Sequence, residues 1–139
     1  MVADGDWPIG VQATMSTRLD GVSLPPFESW NLGDHVGDDP QAVSVNRELL
    51  VQRLDARPVF LRQVHGVESV ELRHDSPDGM AADACWTRQL GVACTVMVAD
   101  CLPILVCDMQ GRQVAALHAG WRGLAGVDGV GIVEQGLER

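Results

Sequence analysis

The stretch that decides the fold is Val92-Ala-Cys-Thr-Val-Met-Val-Ala99, followed by Asp100-Cys-Leu-Pro103, Ile104-Leu-Val-Cys107, Asp108-Met-Gln-Gly111 and Gln113-Val-Ala-Ala-Leu-His118. A nearly unbroken apolar run of eight residues behind Gly91, dense in valine, fits a strand covered on both faces. The next two runs, joined by a polar turn ending in glycine, predict a hairpin. Its geometry puts Cys101 and His118 at neighbouring strand ends.

Working outward, residues 59–64 and 67–72 form two further short strand patterns on either side of His65-Gly66, closed by the polar turn 73–78. His65 therefore falls where a strand bends or ends. Upstream, Asp38-Asp39-Pro40 combines an N-cap carboxylate with a first-turn proline. Ala42, Val45, Leu49, Leu50 and Leu54 continue at helical spacing, so a helix is expected to end near Ala56, before Pro58. Residues 11–17 alternate loosely and predict a strand, followed by a long loop through the glycine and two prolines of residues 18–26. Beyond Gly120 the glycines are too frequent for a comfortable helix, at about 1 kcal/mol each relative to alanine. A glycine-rich turn is the expectation there. Strands mixed with helix define an α/β class, but patterning alone leaves the strand order open.

A chain of 139 residues suits one domain, residues 1–139, with a real core. Its net charge of −9 repels polyanions, and its ten basic residues form no stripe, which argues against nucleic acid and anionic membranes as partners. Asp100 and Pro103 interrupt the longest apolar region, so no membrane-spanning helix is expected. No basic, apolar leader opens the sequence, and the expected location is the cytoplasm. There, four cysteines without a CxxC pair read as reduced thiols. Cys85, Cys94 and Cys107 suit core filling, and Cys101 a ligand.

Catalytic zinc is commonly held by three protein ligands drawn from thiolate, imidazole and carboxylate, with a fourth position left open. His65, Cys101 and His118 supply such a set, all at strand-to-turn junctions where active sites commonly lie. Their spacings of 36 and 17 residues match no compact finger pattern, so spacing alone joins them weakly.

The surrounding blocks are more specific. Gln63-Val-His-Gly66, Ala99-Asp-Cys-Leu-Pro103 and His118-Ala-Gly-Trp-Arg-Gly123, in that order, resemble the signature blocks of the laccase-domain purine nucleoside phosphorylase family, also called the polyphenol oxidase or peptidoglycan editing factor-like family. Thr17-Arg18, Gly21-Val-Ser23, Ser29-Trp-Asn-Leu-Gly33, His35-Val-Gly-Asp-Asp-Pro40 and Ala82-Asp-Ala84 extend the similarity from Ser16 to about Gly126. The resemblance implies helices flanking packed, mixed sheets in an αββα-type sandwich. It implies zinc on His65, Cys101 and His118, with a copper-dependent polyphenol oxidase as the alternative reading of the same site. It also implies purine nucleosides and phosphate as substrates: phosphorolysis of adenosine, inosine and methylthioadenosine, and deamination of adenosine. Family domains run about 100 residues further than this sequence, beyond the size of a small domain. The chain then reads as the N-terminal portion of the family domain, with association of chains one way to cover an exposed face.

Other residues in these blocks have both a chemical and a plain structural reading. Asp100 is a candidate catalytic base or orienter beside Cys101, or caps the turn before Pro103. Arg18 and Arg122 are candidates for holding phosphate, and Asn31 and His35 for holding the nucleoside; a turn-stabilising asparagine is the simpler role for Asn31. Trp121 could stack on a base or cap the core, and His74 reads as a surface residue. Four histidines are too few for a trinuclear copper centre, although two imidazoles and a thiolate suit one copper. Two further readings need no substrate-activating metal: a cysteine hydrolase with Cys101 as nucleophile and His118 as base, and a zinc-stabilised binding module.

Overall fold

A computed structural model describes residues 6–138. They form two compact units, one of residues 12–55 and the other of residues 6–11 and 56–138.

The first unit contains helix α1, Pro40–Arg53. As the sequence predicts, Asp39 caps it by accepting from the Gln41 N–H and Pro40 occupies the first turn, but the helix ends at Arg53, short of the expected Ala56, because Leu54 turns extended. The buried face is apolar except for one residue. Val43, Asn46 and Leu50 are inside, and Asn46 is completely enclosed. Its Oδ1 accepts from the Val22 N–H, and the two hydrogens of its Nδ2 are shared among Ser23 Oγ and the carbonyls of Ser29 and Asn31. Residues 11–17, expected as a strand, carry none: a strand needs a ladder, and none is recorded for them among the described residues.

The second unit contains strands β1 Arg57–Phe60, β2 Ser69–Glu71, β3 Ala84–Thr87, β4 Val92–Thr95, β5 Leu102–Cys107 and β6 Val114–Ala119, then helices α2 Trp121–Ala125 and α3 Ile132–Leu137. Strands β1 and β4 pair in parallel as one sheet, and the order β2-β3-β6-β5 makes the other. The predicted hairpin is β5 and β6, antiparallel, with Leu102 opposite Ala119 and Pro103 opposite His118. Asp108 fixes its turn by accepting from the Arg112 and Gln113 N–H groups, and Gly111 takes a φ of 66°.

Alternation along the strands builds two cores. Cys85 and Ala116 join Val59, Leu61, Leu72 and Val92, whereas Ala84, Ala115, Leu117 and Ala119 join Ile132 of α3. The four-stranded sheet thus packs on apolar residues of the β1–β4 sheet with one face and on α3 with the other. This is the mixed α/β class with helices packed on sheets.

The glycine-rich tail corrects the sequence reading, because it holds two helices rather than a turn. Close approach explains its glycines. A Cβ on Gly123 would stand 2.9 Å from the Gly66 carbonyl oxygen, and one on Gly136 would stand 2.5 Å from Leu117 Cδ2. Burial of Ile132, fully enclosed, contributes about 1.5–3 kcal/mol and offsets the helix penalty of these glycines.

Candidate metal centre

The second unit brings His65, Cys101 and His118 together: one ligand atom from each lies within 4.8 Å of the others. Cys101 Sγ is 3.7 Å from His65 Nε2, and the two imidazole rings meet edge to face with centroids 4.7 Å apart. Zinc bonds of about 2.0 Å to nitrogen and 2.3 Å to sulfur span a tetrahedral edge of about 3.6 Å. The donor types and the spacing both fit a single zinc-sized ion.

Each ligand is delivered by local chain geometry. Cys101 directly precedes β5, and His118 is the penultimate residue of β6, so the hairpin register makes them neighbours. His65 lies in the bend after β1. Gln63 fastens that bend with a two-way amide bond, Nε2 donating to the Met97 carbonyl and Oε1 accepting from the Met97 N–H, both at 2.8 Å. The segment leading to Cys101 is thereby tied to the segment leading to His65. Gly120 completes the fit. A Cβ there would come within 2.8 Å of His65 Cδ2 and 3.2 Å of Cys101 Sγ.

Under the ligands lies Asp83, fully buried just before β3. Its Oδ1 is 2.8 Å from His118 Nδ1 and accepts from the His65 N–H; its Oδ2 accepts from the N–H groups of Val64 and Gly66. A carboxylate can only accept, so in the neutral imidazole this contact places the hydrogen on Nδ1 and leaves the Nε2 lone pair free. In the sequence Asp83 stands within Ala82-Asp-Ala84, where nothing local marks it for a role. One buried aspartate beside three small residues carries no periodic signal.

Desolvation, followed by the charge of Asp100 and its hydrogen bond, pushes the Cys101 thiol above its ordinary value, and the Asp83 charge adds to this. A bound cation stabilises the thiolate and opposes that shift. Asp100 is exposed in a bend rather than in a strand, close enough to act on the Cys101 thiol. Arg122 is exposed on α2 over the ring of Trp121, which is 73% exposed and does not cap the core.

Arg18, Asn31 and His35 belong to the first unit and make local contacts. Arg18 donates twice to the Glu28 carbonyl. Asn31 builds its own turn by accepting from the Gly33 N–H and donating to the Gly33 carbonyl and Asp38. His35 is exposed beside Asp34. Cys85 is buried in the core, and the Cys94 thiol is raised by its hydrogen bond with Cys85 and by burial, as suits packing residues. Among the described residues no helix is long and apolar enough to cross a membrane.

The sequence is similar to those of known proteins. The chain is 57% identical over 122 residues to a purine nucleoside phosphorylase of Pseudomonas aeruginosa, covering 86% of this chain and 50% of that protein. It is 50% identical over 123 residues to the purine nucleoside phosphorylase YfiH of Escherichia coli, covering 86% and 51%. Among solved structures, a Neisseria meningitidis protein superposes with a TM-score of 0.82 at 45% identity, over 90% of this chain and 52% of that one. YlmD of Geobacillus stearothermophilus superposes with a TM-score of 0.69 at 34% identity, over 80% and 46%. The chain therefore spans about half the length of the relatives it matches. Residues 12–139 match the family described as multi-copper polyphenol oxidoreductase laccase, and the chain belongs to that family.

Proposed function

We propose that the protein acts in a zinc-dependent purine nucleoside phosphorylase, using phosphate on adenosine, inosine or methylthioadenosine and deaminating adenosine at the same site, with residues 1–139 forming the N-terminal portion of the family domain. The observation that carries this reading is the convergence of two imidazoles and one thiolate within 4.8 Å, in a chain whose relatives are named purine nucleoside phosphorylases. Bound zinc supplies Lewis acidity and lowers the pKa of bound water toward neutrality. The chain's own groups do the rest. Asp83 holds the His118 lone pair outward, Gly120 leaves room for the ligands, and Asp100 is the candidate base beside Cys101. Arg122, fixed at the start of α2, offers a guanidinium to phosphate. Arg18, Asn31 and His35 remain proposed substrate contacts, Asn31 through the second lone pair of its Oδ1, since its turn uses both amide hydrogens.

Metal analysis with product identification tests this. Purified protein is expected to hold about one zinc per chain. With adenosine and phosphate it is expected to release adenine, and inosine to the extent that deamination competes. Copper in place of zinc, with oxidation of phenols, would replace the reading by the oxidase one. A specific geometry favours one second reading: Asp83 bonded to His118 Nδ1 beside a thiol resembles the base and orienter of a cysteine hydrolase. The raised Cys101 thiol opposes it, since a nucleophilic cysteine needs a lowered pKa. A chelator abolishes activity in the zinc reading and spares it in the hydrolase reading.

A further inference from the structure

We infer that Asp83 is the positioning residue of the metal centre, a single buried carboxylate that sets both histidine ligands through different mechanisms. The inference rests on the metal reading above and adds to it how the site is built and what its affinity depends on.

The first mechanism acts on the backbone. The consecutive N–H groups of Val64, His65 and Gly66 all point at the Asp83 carboxylate, at 3.1, 2.8 and 2.8 Å. Such a nest of amides forms around an anion when the chain passes through a left-handed residue. Here that residue is His65, with a φ of 59°. A non-glycine side chain is strained in that region, and the strain persists only where surrounding contacts over-determine it. The anion inside the nest supplies those contacts, and the residue it holds in this conformation is a ligand.

The second mechanism acts on a proton. Asp83 Oδ1, 2.8 Å from His118 Nδ1, favours the neutral tautomer with its hydrogen on Nδ1, the one whose Nε2 lone pair is free for the ion. The backbone adds a tether at the same place, the His118 N–H donating to the Asp83 carbonyl at 2.7 Å. Both carboxylate oxygens are fully used, each by two donors.

No other side chain performs both tasks. An asparagine presents two donors on one side. With its oxygen toward His65 and His118, its NH2 faces the Val64 and Gly66 N–H groups, donor against donor. Turned over, its NH2 faces His118 Nδ1 and drives the ring into the tautomer whose Nε2 carries hydrogen, which cannot bind a metal. Glutamate keeps the charge but adds a methylene where Asp83 has no free surface.

The test uses the whole chain and two readouts. In metal-free wild-type protein with neutral imidazoles, 15N NMR is expected to find His118 protonated on Nδ1 and not on Nε2. In Asp83→Asn, competition with a chromophoric chelator is expected to show zinc affinity lowered about 10- to 100-fold, as for other outer partners of metal ligands. A wild-type His118 protonated on Nε2 would overturn the inference, as would a folded Asp83→Asn whose zinc affinity stays within about twofold of wild type. Wild-type protein that takes up no zinc would sink the metal reading instead, and the tautomer would then decide alone whether Asp83 fixes His118. The wild-type measurement needs no variant, so it stays decisive even if Asp83→Asn does not fold.

Discussion

The two units are each organised around one fully enclosed polar side chain that gathers loop backbone from distant positions, Asn46 in the first and Asp83 in the second. Asn46 accepts one N–H and shares its two amide hydrogens among three oxygens; Asp83 accepts three N–H groups and a ring nitrogen. The amide matches a mixed set of partners and is neutral, so its network closes on itself and needs nothing more. The carboxylate matches donors only, and one of those donors is a histidine whose other nitrogen faces Cys101 and His65. The same fastening device therefore closes a structural network when it is neutral and, in the metal reading proposed above, orients a ligand when it is charged.

Exchanging the two chemistries is the strongest way to break this comparison. Asn46→Asp puts a second carboxylate oxygen against three oxygens that now receive hydrogen bonds, leaving an uncompensated buried charge. A loss of about 3–5 kcal/mol is expected by urea unfolding at neutral pH. The loss should shrink as pH falls, because a protonated carboxyl can donate again. A loss under about 1 kcal/mol would mean that water reaches Asn46 and that the first unit does not depend on it.

How visible these two centres are in the sequence follows from the same chemistry. The trio is legible because His65, Cys101 and His118 are residue types that ligate metals, placed at turns and inside recognisable blocks. The β5–β6 hairpin and the Asp39-Pro40 cap are legible because their signals are local. Asn46 and Asp83 are not, since their importance comes from partners 15 to 35 positions away. Strand β3 escapes for a related reason: Ala84-Cys-Trp-Thr87 is short, three of its four residues are buried, and it shows no apolar-polar alternation. Its pairing with β2 in parallel and β6 in antiparallel fashion is a tertiary property. The last two helices hide behind glycines whose absent side chains are what permits the packing.

Those glycines sharpen the comparison within the second unit, where fit around the ligands and fit of the fold can be separated. Gly120→Ala drives a Cβ toward His65 and Cys101. Its strain, on the scale of 1–3 kcal/mol for overpacking, should fall on metal binding and weaken zinc about tenfold or more by chelator competition. Unchanged affinity would show that the ligand loops yield freely. Gly136→Ala instead meets Leu117, which is fully buried and has no free side to move to. Overpacking of about 2 kcal/mol outweighs the helix preference for alanine of about 1 kcal/mol. A net stability loss near 1 kcal/mol is expected in thermal or urea unfolding, with zinc affinity unaltered. A stabilised variant would mean that α3 shifts away from β6 without penalty.

The smallest expected effect comes from a carboxylate that makes the same type of bond as Asp83 but in water. Asp39 is exposed, and its Oδ1 accepts the Gln41 N–H at 3.0 Å at the start of α1. Asp39→Ala removes that bond, yet solvent can reach the freed N–H, so the expected cost is only that of a lost N-cap, about 1 kcal/mol by urea unfolding. Asp39→Asn should restore nearly all of it, because an exposed amide oxygen caps about as well as a carboxylate. That recovery sets Asp39 against Asp83, where the same exchange is expected to fail. If Asp39→Asn instead loses as much as Asp39→Ala, charge at the helix start matters more than the accepted hydrogen bond. Exposed and buried carboxylates would then differ in something other than solvent access to their donors.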